Sequence, residues 1–285
     1  MGKYLITGGT GNIGKYVIEE LLKMNKDVRA AVRNIQQAEQ VFIDKKIELV
    51  TFDFLDAASF PNALNGVEHI FLMRPPNLAH PETDMLPFLQ AAKKNGIKKI
   101  VFISLLGVEK NPVVPHRKIE NMIKELGITY VFLRPSFFMQ NLNSNHKEEI
   151  KERSELFIPA GKSKTSFIDT RDIAKAAAIT LVEETYRNQS ITLTGKYAID
   201  YYKVADTMSK VLDRKIEYKN PSLLKFRQER IKRGTPKEFA NVMMFLYLMT
   251  KLGTAKSITD DLEKIIGTEP ISFERYVIDY KEYWM

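Results

Sequence analysis

An α/β fold on a doubly wound parallel sheet is what this sequence predicts, and three observations predict it. Short apolar runs alternate with amphipathic stretches through the first half of the chain. A glycine-rich turn follows the first run and opens the first amphipathic stretch. The apolar runs are nearly continuous, as in strands covered on both faces.

Strands are predicted at Tyr4–Thr7, Val28–Val32, Glu48–Phe52, His69–Met73, Lys99–Ser104 and Tyr130–Leu133. Helices are predicted between them at Gly14–Met24, Ile35–Phe42, Ser59–Leu64, Asp84–Asn95 and Arg117–Leu126. This alternation makes βαβ units. Gly66, Gly96 and Gly127 each follow a helical stretch, where a left-handed C-cap is wanted.

The pattern loosens after Asn143. Residues 143–155 are polar and read as a mobile loop or an exposed helix. Phe157–Pro159 reads as a strand, and Asp172–Glu184 as a helix with Asp172 at its N-cap. Ser190–Leu193 reads as a strand; Tyr202–Leu212 and Leu223–Gly253 are helical, with a break near Gly234-Thr235-Pro236. The expected organisation is a first domain over 1–155, a return to it around 165–195, and a smaller, mostly helical lobe over 196–285.

Composition narrows the function classes. The chain has 285 residues, 44% hydrophobic and 27% charged, ordinary values for a soluble protein. No apolar run is long enough to span a bilayer, and Met1–Gly9 reads as a strand, not a signal peptide. A cytoplasmic location without a membrane partner is expected. Cysteine is absent, which excludes disulfides and thiolate catalysis. The net charge of +8 is spread: residues 1–150 hold 19 Lys and Arg against 16 Asp and Glu, and the rest hold 24 against 19. The densest stretch, Lys225–Arg233, has helical spacing and reads as a solvated face. No groove-reading motif accompanies it, so no nucleic-acid partner is expected.

The strongest chemical signal is Thr7-Gly8-Gly9-Thr10-Gly11-Asn12-Ile13-Gly14. Gly8 makes the tight turn, Gly11 lets backbone approach a pyrophosphate, and Gly14 lets helix and strand pack closely. A strand before and a helix after are the context this motif needs, and they make the sheet Rossmann-type. Thr10, Asn12 and Ile13 complete the turn, whose N–H groups and helix dipole favour phosphate. At the end of the second strand an NAD site would place Asp or Glu. Here Val32-Arg33-Asn34 stands, and Arg33 suits the 2′-phosphate of NADP(H). Asp53 and Phe54 follow the third strand, where side chains flank adenine. Met73 and Arg74 follow the fourth strand and Ser104 ends the fifth, at the carboxyl edge where ligands bind.

Together TGGTGNIG, VRN, FLMRPP at 71–76, LRPSFFMQNL at 133–142 and SFIDTRDIA at 166–174 resemble the NmrA-like family, atypical relatives of the short-chain dehydrogenases. TDDLEKIIGTEPISFERY at 259–276 resembles the C-terminal helix of its NADPH-dependent quinone reductases. The resemblance implies an NADP(H)-binding domain and a substrate lobe. It does not fix the activity, since the family includes reductases, epimerase-like proteins and silent cofactor sensors.

Short-chain dehydrogenases use Tyr-x-x-x-Lys after the fifth strand. Here His116 and Glu120 take those places, a pattern that resembles the quinone reductases. Four residues apart on a helix, they share a face. Glu120 is expected to orient the imidazole and raise its pKa, making His116 a proton donor near neutral pH. Phe137, Phe138, Met139, Gln140 and Asn141, with Arg171, are candidates for the wall of a pocket that takes a flat acceptor. His69 reads as a satisfied core histidine, His80 and His146 lack metal-ligand spacing, and Met243–Met249 reads as helix core. The leading expectation is an NADPH-dependent oxidoreductase that passes hydride to a quinone-like or other small conjugated acceptor. The alternatives are a non-enzymatic NADP(H) sensor acting through a protein partner and an epimerase-like protein.

Overall fold

The computed structural model describes residues 2–43 and 45–285. The strands are β1 (Lys3–Thr7), β2 (Val28–Val32), β3 (Glu48–Thr51), β4 (Val67–Leu72), β5 (Lys99–Ile103), β6 (Thr129–Pro135), β7 (Glu155–Leu156), β8 (Gln189–Leu193) and β9 (Glu217–Tyr218). The helices are α1 (Gly14–Lys23), α2 (Ile35–Val41), α3 (Phe60–Leu64), α4 (Pro81–Asp84), α5 (Leu86–Lys94), α6 (Pro115–Glu125), α7 (Lys147–Arg153), α8 (Thr170–Val182), α9 (Tyr201–Val211), α10 (Leu223–Lys232), α11 (Lys237–Lys251), α12 (Asp261–Ile266) and α13 (Phe273–Tyr280). No helix among the described residues is long and apolar enough to cross a membrane.

Two compact units form. The first takes the chain up to Pro135, Thr170–Leu193 and Lys264–Gly267. Its seven strands are all parallel, in the order β3-β2-β1-β4-β5-β6-β8. Strand order reverses between β1 and β4, so a crevice opens at the carboxyl ends of these two strands. Phe52, Phe54, Phe60 and Phe88 pack edge-on or tilted on one side of the sheet. On the other side α1 packs against α8, whose Ala174, Ala176, Ala177 and Ala178 permit close approach. Lys99, buried inside β5, is satisfied at the end of α8, where its ammonium donates to the carbonyls of Thr180 (3.4 Å) and Glu183 (2.8 Å). Cations are favoured at that end of a helix.

The second unit holds Ser136–Asp169, Thr194–Glu263 and Thr268–Met285. It pairs β7 with β9 in parallel and surrounds them with helices. Its core includes Tyr201, Phe226, Tyr247, Tyr276 and Trp284. The Trp284 indole donates to the Leu142 carbonyl at 3.2 Å.

Local departures from the sequence reading have physical causes. Residues 136–155 group with the second unit, where Phe138 bridges to Ile168. The polar stretch 143–155 contains α7, which buries Glu149 and Ile150 and ends on Ser154 in the left-handed region. The local strand is β7, not Phe157–Pro159, because Glu155 and Leu156 find partners in β9. Helix α8 starts at Thr170, so Asp172 sits in its first turn rather than at its N-cap. The helix expected at Asp84–Asn95 is broken at Met85, just before Pro87, which lacks an N–H to donate.

Candidate functional site

The phosphate turn is built as its glycines require. Gly8 has φ +63°, and a Cβ on Gly14 would lie 2.2 Å from the Gly8 carbonyl oxygen. Only glycine permits that packing of turn on helix. A Cβ on Gly11 would be 3.1 Å from the same oxygen. The Gly11 N–H closes the turn onto the Gly8 carbonyl at 2.9 Å. The N–H groups of Asn12, Ile13 and Gly14 meet no acceptor among the described residues. No side chain caps α1, and its first turn carries no acid. Thr10 and Asn12 are exposed and Ile13 is buried. Free donors at a helix start, with glycines holding the approach open, fit a pyrophosphate.

A hydroxyl ties this turn to the next strand. Thr7 Oγ1 donates to the Phe71 carbonyl (3.1 Å) and accepts from the Met73 N–H (2.9 Å). Met73 in turn lies against Gly8, at the distance where a Cβ there would touch its side chain.

Arg33 is exposed at the end of β2 and pairs with no carboxylate among the described residues. Asn34 caps α2, accepting from the Gln37 N–H at 3.0 Å. Asp53 is exposed and bends its own turn, accepting from the Leu55 N–H at 2.9 Å. The ring of Phe54, expected to flank adenine, is instead buried against Phe52 and Phe88. Arg74 folds back on its own loop and donates to the carbonyls of Pro75, Pro76 and Leu78.

The pair expected on α6 is arranged differently from the sequence reading. Glu120 is fully buried and accepts from Ser104 Oγ (2.7 Å), Arg134 Nε (3.0 Å) and Nη2 (2.7 Å), and Arg117 Nη1 (3.2 Å). Its carboxylate is held by β5 and β6 and does not orient His116. The His116 ring is half-buried, stacks on Phe102 at 5.8 Å and makes no hydrogen bond among the described residues. Burial, and then the Arg74 charge, push its pKa down to about 3. The expectation of a raised pKa is therefore corrected: near neutral pH the imidazole is uncharged. Lys118 pairs with Glu82 at 2.7 Å on the surface.

The amide segment lies in the second unit. Gln140 is buried and donates to Asp169 at 2.8 Å, and Met139 packs in the core. Phe137, Phe138 and Asn141 stay half-buried, and Phe137 tilts against Tyr247. Arg171 lies in the first turn of α8.

Sequence reasoning missed Arg134, the fork that grips Glu120. Its one signal is a cation inside the apolar run of β6. It also missed a buried cluster in the second unit. His146 Nδ1 lies 2.6 Å from both Glu149 and Arg230, and its Nε2 lies 2.6 Å from the Tyr247 hydroxyl. Nδ1 serves one neighbour at a time: protonated it donates to Glu149, bare it accepts from Arg230. Arg230, expected on a solvated face, turns inward for this purpose and also donates to the Asn145 carbonyl at 2.7 Å. His69 is buried and stacked on Tyr4, and its Nδ1 has no partner among the described residues.

A Rossmann-type sheet with this phosphate turn defines a dinucleotide-binding class, and the comparisons narrow it. The model of the NmrA-like family matches residues 2–283, and the chain belongs to that family. It is 29% identical to the NAD(P)H azoreductase of Xenophilus azovorans, over 95% of this chain and 96% of that protein. It is also 29% identical to the prestalk A differentiation protein A of Dictyostelium discoideum, over 95% and 90%. The Escherichia coli NADPH-dependent quinone oxidoreductase in complex with NADPH superposes with a TM-score of 0.87, at 26% identity over 98% of this chain and 99% of that one.

Proposed function

We propose that this protein is an NADPH-dependent oxidoreductase that passes a hydride to a quinone-like or other small conjugated acceptor. The observation that carries the reading is the set of N–H groups opening α1 that meet no acceptor among the described residues, with Arg33 beyond β2 paired there with no carboxylate. Its relatives include enzymes named for NAD(P)H-dependent reduction.

NADPH, when bound, supplies the hydride. The backbone of Gly8, Thr10, Gly11, Asn12, Ile13 and Gly14 holds the pyrophosphate, and Arg33 holds the 2′-phosphate. Asp53 and the main chain of Phe54 border the adenosine end. Met73, Arg74 and Ser104 border the reacting end. In the second unit Phe137, Phe138 and Asn141, supported by Met139 and Gln140, are the candidates for the acceptor, and in the first unit Arg171 is.

His116 and Glu120 are the candidate chemical residues, in altered roles. Neutral His116 offers a ring nitrogen as a hydrogen-bond partner without carrying charge. Glu120 positions Ser104 rather than His116. Near neutral pH His116 holds no imidazolium proton to give, and an electron-poor quinone needs none: it takes the hydride, and the completing proton comes from water.

NADPH oxidation by the purified protein with a panel of quinones tests the reading. Turnover above the protein-free rate is expected. NADPH binding without turnover on any acceptor, together with a cofactor-dependent co-purifying protein, would replace it with the sensor reading.

A further inference from the structure

Helix α11 carries an uncovered apolar face beside a local surplus of lysines. Helix α11 buries Ala240, Met243, Tyr247 and Thr250. Its opposite side should be polar if it faced only water. Instead Val242, Phe245, Leu246 and Leu252 are exposed, and Met249 is half-exposed between them. These positions recur at helical spacing and form one stripe along a helix about 22 Å long. The Arg227 guanidinium on α10 donates to Asn241 on α11 at 2.5 Å. Leu224, one turn before Arg227 on α10, is exposed as well.

Residues 223–256 carry eight Lys and Arg against two Glu, a surplus of six in a chain whose net charge is +8. Arg230 and Arg233 are consumed by the buried Glu149. Lys225, Lys232, Lys237, Lys251 and Lys256 are exposed and have no carboxylate partner among the described residues. Lys237 opens α11 and Lys251 closes it, so cations stand at both ends of the stripe.

We propose that this face rests on an anionic lipid surface, with the α11 stripe in the interface and the lysines on the headgroups. Apolar residues on one helix face rimmed by lysine are the composition of an interfacial helix. Lysine stems lie along apolar surface while the ammonium reaches the phosphates. A second copy of the chain fits worse, because a two-fold contact sets the same lysines against themselves. The expectation of no membrane partner rested on the lack of a spanning run, and an interfacial helix needs none.

Flotation with vesicles of phosphatidylcholine, with and without phosphatidylglycerol, tests this. Binding is expected only to the vesicles with phosphatidylglycerol, and it should weaken with added salt. Phe245→Ser with Leu246→Ser should lower the partition about tenfold or more, given the apolar area they bury. Lys237→Gln or Lys251→Gln should each lower it about fivefold. Unchanged circular dichroism melts keep loss of fold apart from loss of contact. No binding to the anionic vesicles, or binding that survives the double variant, overturns the proposal. A solution dimer that Phe245→Ser dissociates overturns it in favour of a second copy.

Discussion

Replacing Arg134 by Ala should be among the most damaging single changes in the first unit. Glu120 is fully buried, and Arg134 grips it through two nitrogens at 3.0 and 2.7 Å. What remains after the substitution is Ser104 and one Arg117 nitrogen at 3.2 Å, from a side chain 26% exposed. Removing one partner of a buried ion pair costs about 3–5 kcal/mol, because the other charge is left uncompensated. The third contact of Arg134, to exposed Glu109 at 3.2 Å, adds at most about 1 kcal/mol. A loss near 4 kcal/mol is a large part of the roughly 5–15 kcal/mol that holds a domain together. Urea unfolding of wild type and variant measures it. The double variant Arg134→Met with Glu120→Met should recover most of the loss, since an apolar replacement of similar volume is often neutral. It should not recover turnover, because with Glu120 gone Ser104 loses its acceptor. A single variant within about 1 kcal/mol of wild type would show that the pair is not the clamp described.

The remaining predictions concern His116, the phosphate turn and Arg33. His116 has a folded pKa near 3 against an ordinary 6.5, so the unfolded chain takes the proton first as pH falls. Stability should therefore be lost from about pH 6.5 downward, by at most about 2 kcal/mol at pH 5; His116→Gln should lack this component in urea titrations at both pH values. Gly14→Ala should disrupt the turn outright, since its Cβ meets backbone at 2.2 Å, whereas Gly11→Val should keep the circular dichroism spectrum and lose NADPH binding by calorimetry. Arg33→Ala should cut the preference for NADPH over NADH by about ten- to a hundredfold, because a charge-assisted bond contributes about 1.5–3 kcal/mol. Equal wild-type affinities for the two cofactors would misplace the ribose site.

What was legible in the sequence is what the backbone encodes locally. Gly8, Gly11 and Gly14 announce the turn because each answers a constraint within a few residues of itself. The parallel strands are legible because their continuous apolar runs report burial on both faces. The grip on Glu120 is not, because Arg134 reaches it only once β5 and β6 are in register and α6 lies across them. The helical spacing of Lys225–Arg233 suggests a wet face, and nothing local says that Arg230 will meet His146, 84 residues earlier. Met243–Met249 is apolar all round, so composition alone hides that Met243 and Tyr247 are core while Phe245 and Leu246 are not.

The single hydroxyl of Thr7 makes the two ends of the crevice unequal as engineering targets. Thr7 joins the turn after β1 to the start of the loop after β4, so a change in one segment should be felt in the other. Arg33 belongs to neither, and no side-chain bond ties it to them. Cofactor preference can then be rewritten at Arg33 as an independent module. A redesign of the reacting end at Met73 must carry the phosphate turn with it, and substitutions on the two sides of that hydroxyl should be strongly non-additive.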